Sequence, residues 1–248
     1  MGKINVGIIG LGSRGLVLLK QCILPREDVS VIAICDLYED NLQKAAEAVR
    51  DAGRSEPFCT KDYREAIFRP GLDAILVTCA WVPHIEIACA AMKAGKYVAV
   101  EVGGAYSIED CWKLVRTHEE TGTHCMLLEN CCYGRYEMMI LNMIQQNVFG
   151  EIVHCQGGYL HDLRRVLANV SRHYRPLDYI LRNCENYPTH ELGPIAQFLD
   201  INRGNRMLKL NSVASKAAGL HEYIKQEHIN ADRRFAQGDV VTTLINVA

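Results

Sequence analysis

Short apolar runs alternate with amphipathic stretches over the first half of the chain. Five runs have the length and composition of buried strands: INVGIIG, VSVIAICD, DAILVTC, YVAVEV and HCMLLEN. The stretches between them have helical periodicity and predict helices that begin near Ser13 or span residues 39–50, 84–94 and 107–121. Continuous apolar strands separated by helices form parallel sheets covered on both faces. Residues 1–130 are therefore predicted to form an α/β domain.

The pattern changes after residue 130, and the second half has the character of an α+β domain with a largely antiparallel sheet. Helices are predicted over residues 135–147 and 190–202, strands over 151–161, 207–219 and 238–248, and a polar irregular stretch over 162–186. The strand prediction for 151–161 depends on its alternation of apolar and polar residues. Because the final residues TTLINVA have no turn or cap, we expect residues 131–248 to be an incomplete, truncated domain.

A glycine-rich motif follows the first predicted strand and opens the first predicted helix. Gly10, Gly12 and Gly15 give the pattern G-x-G-x-x-G, with Ser13 and Arg14 between the last two glycines. The first glycine permits a tight turn, the second lets the backbone approach a pyrophosphate, and the third lets helix and strand pack closely. This context predicts a Rossmann domain that binds a dinucleotide.

Asp36 ends the second predicted strand, where an acidic side chain of such domains accepts hydrogen bonds from the adenosine ribose. A carboxylate there repels a 2'-phosphate, and the following Leu37-Tyr38-Glu39 offers no arginine to bind one. We therefore predict that the cofactor is NAD and not NADP. The alternative is that Asp36 only caps the helix that starts at residue 39.

Other candidate ligand-binding residues follow the later strands, at the edge where parallel sheets bind their ligands. They are Trp81 to His84, Glu101 with Val102, and Glu129 with Asn130. We expect the segment from Trp81 to His84 to lie over the ribose and the nicotinamide. His84 is equally consistent with a first-turn helix residue that has no chemical role.

Charge and hydropathy exclude several partners. A net charge of -2 and a pI near 6.5 argue against binding to nucleic acid, which usually needs a basic face. The apolar runs are shorter than the roughly 18–20 residues that span a bilayer, so no membrane span is predicted. Met1-Gly2-Lys3 leads directly into a predicted strand, so we expect no signal peptide.

The eleven cysteines do not have the pattern of a disulfide scaffold. Several fall inside predicted strands or helices, which indicates small packing residues in a reducing compartment, and hence a cytoplasmic protein. Cys131 and Cys132 are the one adjacent pair. Since no C-x-x-C or H-x-x-x-H spacing occurs, we expect no metal site.

Two resemblances add to this picture. The NAD-type Rossmann pattern, the W-x-P-H turn at Trp81 and the strand that ends in Glu101 resemble the Gfo/Idh/MocA oxidoreductases. That family typically carries Glu-Lys-Pro at the latter position, with a catalytic lysine, whereas this chain has Glu101-Val102-Gly103. A narrower match to glycoside hydrolase family 109 is carried by three segments: LLENCCYGRYEMMILNMIQQNVFGEI, GGYLHDLR and NYPTHELGPIAQFLDINRGNR.

The second resemblance implies an NAD-dependent α-N-acetylgalactosaminidase that cleaves its substrate by a redox route. NAD oxidises the sugar C3 hydroxyl, a base removes the acidified C2 proton, and the C1 aglycone is eliminated. Water then adds, and the hydride is returned. The resemblance also implies an amino-sugar glycoside as substrate and a homo-oligomer, either a dimer or a tetramer. Related enzymes are often exported, so an exported form with its signal removed is the alternative to a cytoplasmic one.

The same resemblance implies roles for individual residues. Those expected to bind NAD are Ser13, Arg14, Asp36, Trp81, Val82, Pro83, His84, Glu101, Val102, Asn130 and Tyr187. Those expected to face the sugar are Tyr159, Arg175, Tyr187, Pro188, Thr189 and His190. Histidine titrates near neutral pH, so His190 is suited to take the hydroxyl proton, and Tyr159 and Tyr187 are alternatives for the C2 base.

Simpler interpretations of these residues stay open. Tyr159 and His161 alternate and fit one half-exposed face of a strand, Pro188-Thr189 fits a helix start, and Arg175 fits a solvated loop. Two other functions also stay open: a conventional NAD-dependent sugar or inositol dehydrogenase, and an NAD-binding remnant without activity.

Overall fold

The computed structural model describes residues 2–168, 172–229 and 232–248. The chain divides into two compact units, of which the first ends at Leu128 and the second begins at Glu129. This division lies two residues before the boundary expected from the sequence.

The first unit is built on a six-stranded parallel sheet with the order β3-β2-β1-β4-β5-β6. Its strands are β1 (Ile4–Ile9), β2 (Val29–Cys35), β3 (Phe58–Thr60), β4 (Ala74–Val77), β5 (Tyr97–Val100) and β6 (Cys125–Leu127). The parallel α/β prediction is confirmed. Strand β3 was not predicted, because three residues are too few to show an alternation of apolar and polar positions.

Helices cover both faces of this sheet. They are α1 (Ser13–Leu18, which continues as a π-helical turn over Leu19–Ile23), α2 (Glu39–Asp51), α3 (Tyr63–Ile67), α4 (His84–Lys93) and α5 (Ile108–Thr121). Ile8 packs with residues of α2 in one core cluster, and its neighbour Ile9 packs with residues of α3 and α4 in another. Successive residues of a strand point to opposite faces, so the two clusters are the two buried faces of the sheet.

The strand order places a crevice between β1 and β4. The chain leaves β1 toward β2 on one side and reaches β4 on the other, so the carboxyl ends of these strands form a topological switch point. The glycine-rich motif follows β1, and Thr78 follows β4. The sheet therefore brings both segments to the edge where such folds bind their ligands.

The second unit combines short helices with a two-stranded antiparallel sheet, as predicted for its class. Its elements are a 3-10 helix (Asn130–Tyr133), α6 (Arg135–Gln145), α7 (Arg164–Ala168), α8 (Arg175–Leu181), α9 (Thr189–Phe198), β7 (Met207–Ala214), α10 (Gly219–Gln226) and β8 (Val241–Val247). Strands β7 and β8 pair with each other. A small core forms around Leu167, Ile224 and Phe235.

The predicted strand at residues 151–161 is wrong: all of these residues are described, and none belongs to a strand. Gly157 lies against α9 instead, where a Cβ would come within 2.7 Å of the Glu191 Cβ. Two apolar side chains of the segment, Val153 and Leu160, are each 88% exposed, so its apolar residues do not form one buried strand face.

The stretch 162–186 also differs from expectation, because it contains α7 and α8 and is not irregular throughout. Its residues 169–171 lie outside the described residues. Helix α10 was not predicted either. In the part of the chain that the structure describes, no helix has the length and apolar character needed to cross a membrane.

Candidate active site

The glycine-rich loop after β1 has the shape that a dinucleotide requires. Gly10 has a φ of +97°, and a Cβ there would overlap the backbone of Cys79. A Cβ on Gly15 would overlap the carbonyl oxygen of Gly10 and lie 2.8 Å from the Thr78 hydroxyl, which itself donates a hydrogen bond to that carbonyl. These two glycines therefore allow the loop to lie directly on the end of β4.

Gly12 has a different role, because a Cβ there would meet no atom within 4 Å. Gly12, Ser13 and Arg14 are exposed, whereas Gly15 is buried. The outer side of the loop is thus open at the start of α1, where the backbone of such loops receives a pyrophosphate. Because this side of the loop is open, the residues of the glycine-rich loop fit a dinucleotide cofactor.

Asp36 lies at the end of β2 and is 9% exposed. Its Oδ2 accepts a hydrogen bond from the Leu11 backbone N–H at 2.6 Å. Its Oδ1 accepts bonds from the Tyr38 N–H at 2.9 Å and from the Asn41 Nδ2 at 3.1 Å. The carboxylate therefore joins the glycine loop to the start of α2. The sequence left open that Asp36 only caps this helix. Asp36 does support the start of α2, but the N-cap residue is Tyr38.

Arg14 and Glu101 connect the glycine loop to the end of β5. The Nε of Arg14 lies 2.5 Å from the Oε1 of Glu101, which is 6% exposed, and the Oε2 accepts the Val102 N–H at 2.7 Å. Val102, at the position of the family's lysine, is itself buried. This position thus carries an apolar side chain packed away from solvent and offers no group for proton transfer.

The segment from Trp81 to His84 forms the turn before α4 and its first residue. The buried Trp81 ring occupies the space that a Cβ on Gly103 would take. Only glycine therefore fits at this position, directly after Val102. Val82 is 64% exposed. His84 is fully buried, and its Nε2 lies 3.1 Å from the Cys79 carbonyl oxygen. Burial lowers the pKa of His84. Its surroundings favour the structural interpretation.

In the second unit, the main candidate base is His190, the second residue of α9. The Nδ1 of His190 lies 2.6 Å from the Oε1 of Glu129. Glu129 is buried and caps the 3-10 helix by accepting the Cys131 N–H at 2.9 Å. Burial acts against ionisation of Glu129, but the nearby Thr189 hydroxyl, the Cys131 N–H and His190 outweigh it and lower its pKa. The pair is a carboxylate–histidine dyad.

Two tyrosines and an arginine surround His190. The ring centroids of Tyr159 and Tyr187 are 4.6 Å apart, and each ring also lies within 6 Å of the His190 ring. Arg175 donates a hydrogen bond from Nη1 to the Tyr159 hydroxyl at 3.2 Å, and its guanidinium carbon lies 4.8 Å from the centre of the Tyr187 ring. The structure therefore brings together four of the residues predicted to face the sugar.

Arg175 is a fixed cation within this cluster. Burial lowers its pKa, but the hydroxyls of Tyr174 and Tyr159 have the larger effect and raise it, so the guanidinium stays charged. It is thus not the solvated loop residue that one reading of the sequence allowed. Thr189 begins α9 with Pro188 as N-cap, and Asn130 begins the 3-10 helix and is exposed.

Glu129 is the member of the cluster that sequence reasoning missed. The sequence placed it at the end of a strand beside Asn130, but its partner His190 is 61 residues further along the chain. A pattern of local spacing holds no signal for such a pair. The available clue was an acidic residue at the carboxyl end of the last parallel strand.

The contacts of Asp36 lead to a prediction with two parts. Replacing Asp36 by alanine removes the acceptor expected for the adenosine ribose and also three hydrogen bonds to the protein. We expect Asp36→Ala to weaken NAD binding by about tenfold or more, and to lower the free energy of unfolding by about 1–3 kcal/mol. The ratio of NADP affinity to NAD affinity should rise. Calorimetric titration with each cofactor and urea unfolding measure these effects.

Asp62→Ala is the matched control. Asp62 is the N-cap of α3 and accepts the Arg64 N–H at 2.9 Å, so its loss should cost about 1 kcal/mol of stability. It should leave affinity for NAD unchanged. Equal NAD affinities in wild type and Asp36→Ala, with only stability reduced, would show that Asp36 merely supports the helix start.

Solved structures with the same fold include dehydrogenases of cyclic polyols. The myo-inositol 2-dehydrogenase of Lactobacillus plantarum superposes with a TM-score of 0.77 at 15% identity, over 99% of this chain and 67% of that chain. The scyllo-inositol dehydrogenase of Lactobacillus casei, solved with NAD(H) and scyllo-inositol, gives 0.70 at 14% identity, over 99% and 66%. At such identities the likeness shows the fold alone.

Family profiles and curated relatives are more specific. Residues 4–128 match the oxidoreductase family with an NAD-binding Rossmann fold, and residues 133–248 match the glycosyl hydrolase 109 C-terminal domain. The glycosyl hydrolase family 109 protein 2 of Phocaeicola vulgatus is 39% identical over 99% of this chain and 62% of its own length. The α-N-acetylgalactosaminidase of Bacteroides fragilis is 40% identical over 98% and 60%.

The chain thus spans about three fifths of the length of these relatives. The two profiles meet where the structure divides into its two units, and the first of them carries the NAD fingerprint. The chain belongs to the Gfo/Idh/MocA oxidoreductases with an NAD-binding Rossmann domain, and its residues 133–248 match the C-terminal domain of glycosyl hydrolase family 109.

Proposed function

We propose that this protein is an NAD-dependent glycosidase that hydrolyses terminal α-linked N-acetylgalactosamine or a closely related sugar. The observation that carries the proposal is the cluster of Glu129, His190, Tyr159, Arg175 and Tyr187, which combines two kinds of proton acceptor with a fixed cation. The name of the Bacteroides fragilis relative supports the choice of sugar.

Bound NAD supplies the transient oxidation of the sugar at C3 and its reversal. The residues suited to hold it are the glycine loop, Asp36 and the Arg14–Glu101 pair. His190 takes the proton that the C3 hydroxyl loses. Because its Nδ1 bonds to Glu129, its Nε2 is left to accept that proton, and the carboxylate stabilises the imidazolium that forms.

Tyr159 is the base that removes the C2 proton, which is acidic once C3 is a carbonyl. The Tyr159 oxygen accepts a hydrogen bond from the Arg175 guanidinium, so a fixed positive charge compensates the phenolate form, the form that takes a proton. The Arg175 guanidinium also lies over the ring of Tyr187, with its carbon 4.8 Å from the ring centre. Tyr187 therefore packs against the cation and shapes the sugar side of the cluster.

With C2 deprotonated, the bond from C1 to the aglycone oxygen breaks and the aglycone leaves as its oxyanion. Water then adds its hydroxyl at C1 as Tyr159 returns the proton to C2, and the remaining proton of the water goes to the aglycone oxygen. His190 then returns its proton to the C3 oxygen. Each residue ends in its starting state, so the cycle is a net hydrolysis. No pair of carboxylates flanking the glycosidic bond is needed, in contrast to ordinary glycosidases.

A dehydrogenase is the second candidate, because residues 4–128 match an oxidoreductase family. The buried Val102 argues against it, because the catalytic lysine expected from the family resemblance is replaced by an apolar side chain.

The deciding experiment incubates the protein with p-nitrophenyl α-N-acetylgalactosaminide and NAD and records nitrophenol and NADH together. We expect nitrophenol to be released with no net accumulation of NADH, because the hydride returns in every cycle. The control replaces the glycoside by free N-acetylgalactosamine. Steady accumulation of NADH from the free sugar would contradict the proposal and favour a dehydrogenase.

The dyad gives a second prediction. Glu129→Gln keeps the size of the side chain and its ability to accept the His190 N–H, but it removes the charge that stabilises the imidazolium. We expect kcat to fall by about 100-fold or more, with little change in KM. Steady-state kinetics on the same glycoside measure both constants.

The matched control is Glu191→Gln, which neutralises the carboxylate next to His190 in sequence. The pKa of Glu191 is raised by burial, and Glu191 does not form the bond that Glu129 makes to His190. Its kcat should stay close to wild type. If Glu129→Gln turns over as fast as Glu191→Gln, the dyad has no part in the reaction.

A further inference from the structure

Glu129, Cys131 and His190 form a three-residue set of metal-ligand types. One ligand atom from each, a carboxylate oxygen, the thiol sulfur and an imidazole nitrogen, lies within 4.8 Å of the others. We propose that these side chains bind a zinc-class divalent ion, and that this ion inhibits the protein by occupying the Glu129–His190 dyad. Local spacing gave no sign of the set, because His190 is far from the other two in sequence.

The three ligands are held in place before any ion binds. Glu129 and Cys131 stand two residues apart at the start of the 3-10 helix, and the Cys131 N–H bond to the Glu129 Oε1 fixes that turn. The same oxygen bonds to His190, which fixes the third ligand. Glu129 Oε2 and the nearby Thr189 hydroxyl, which lowers the Glu129 pKa, are both buried, and among the described residues neither forms a hydrogen bond. An ion would give the Glu129 oxygen a partner.

The chemistry of the set selects the ion. A thiolate, an imidazole and a carboxylate together suit Zn²⁺ and its spectroscopic substitute Co²⁺, and not Mg²⁺ or Ca²⁺, which prefer oxygen ligands alone. Bonds of about 2.0–2.3 Å place the ligands of a tetrahedral ion roughly 3–4 Å apart, so the side chains need to move only slightly. The fourth position stays open to water.

Binding has a direct consequence for the dyad. The Cys131 thiol releases its proton to solvent as its sulfur binds the ion. Glu129 and His190 then coordinate the ion and lose their hydrogen bond to each other, so His190 is no longer a free base. The inhibition, but not the binding, rests on the proposed glycosidase function.

The test of binding needs no turnover. Co²⁺ is titrated into the purified protein, and the near-ultraviolet charge-transfer band of a thiolate bound to Co²⁺ is recorded. We expect a band that saturates at one equivalent in wild type and is lost in Cys131→Ser. The matched control is Cys132→Ala, which removes the adjacent thiol and should keep the band. Circular dichroism verifies that both variants are folded.

Three results of the Co²⁺ titration would contradict the proposed site. Absence of the band in wild type overturns the proposal. Its persistence in Cys131→Ser does so too, because one of the ten other cysteines would then be the ligand. Loss of the band in both variants overturns the three-residue set as well, because it would require both thiols.

A second arm measures glycoside hydrolysis at rising Zn²⁺ concentration. Wild type should be inhibited, and Cys131→Ser should need at least about tenfold more Zn²⁺ for the same inhibition, because it has lost one of three ligands. Equal sensitivity of the two overturns the inhibitory role. A protein that shows the Co²⁺ band but never hydrolyses the glycoside contradicts the proposed function and leaves the metal site standing.

Discussion

The hydrogen bond between Glu129 and His190 is the contact on which the chemistry proposed for the second unit depends. It joins the first residue of that unit to α9, and it leaves one imidazole nitrogen available as a base. Glu129 remains ionised although it is buried, because the Thr189 hydroxyl, the Cys131 N–H and His190 lower its pKa. Around this bond the two tyrosines and Arg175 are packed ring against ring and cation against ring.

A separate constraint governs the first unit, namely the close approach of the glycine loop to the end of β4. Gly10 and Gly15 permit that approach, and Asp36 holds the loop from the other side through the Leu11 N–H. Arg14 and Glu101 link the loop to β5. The residues that fit NAD thus also hold the loop in shape, so a change at Asp36 is expected to affect cofactor binding and stability together.

Much of this was predictable from the sequence, because its signals are local. Continuous apolar strands, helical periodicity and the glycine spacing predicted the parallel sheet and the place of Asp36 at a strand end. The start of α9 at Thr189 followed from Pro188. The resemblance to the family, and not the spacing of residues, indicated that Tyr159, Arg175, Tyr187 and His190 belong together.

The rest depends on contacts that local pattern does not encode. The segment 151–161 alternates as a strand does, but a strand also needs a neighbouring strand to pair with, and the alternation does not report whether one is available. His84 occupies a helix start that fits a buried or an exposed side chain equally, and the structure buries it completely. Glu129 and Cys131 come to His190 across some 60 residues, so neither the dyad nor the metal-ligand set was visible in the sequence.

The central claim is that glycoside cleavage proceeds through loss of the C2 proton next to a transient ketone. The most direct measurement is hydrolysis of the α-N-acetylgalactosaminide in D₂O, followed by mass spectrometry and NMR of the released sugar. The account predicts deuterium at C2, because Tyr159 exchanges its proton with solvent before returning it to carbon. Released sugar that carries only hydrogen at C2 would contradict it.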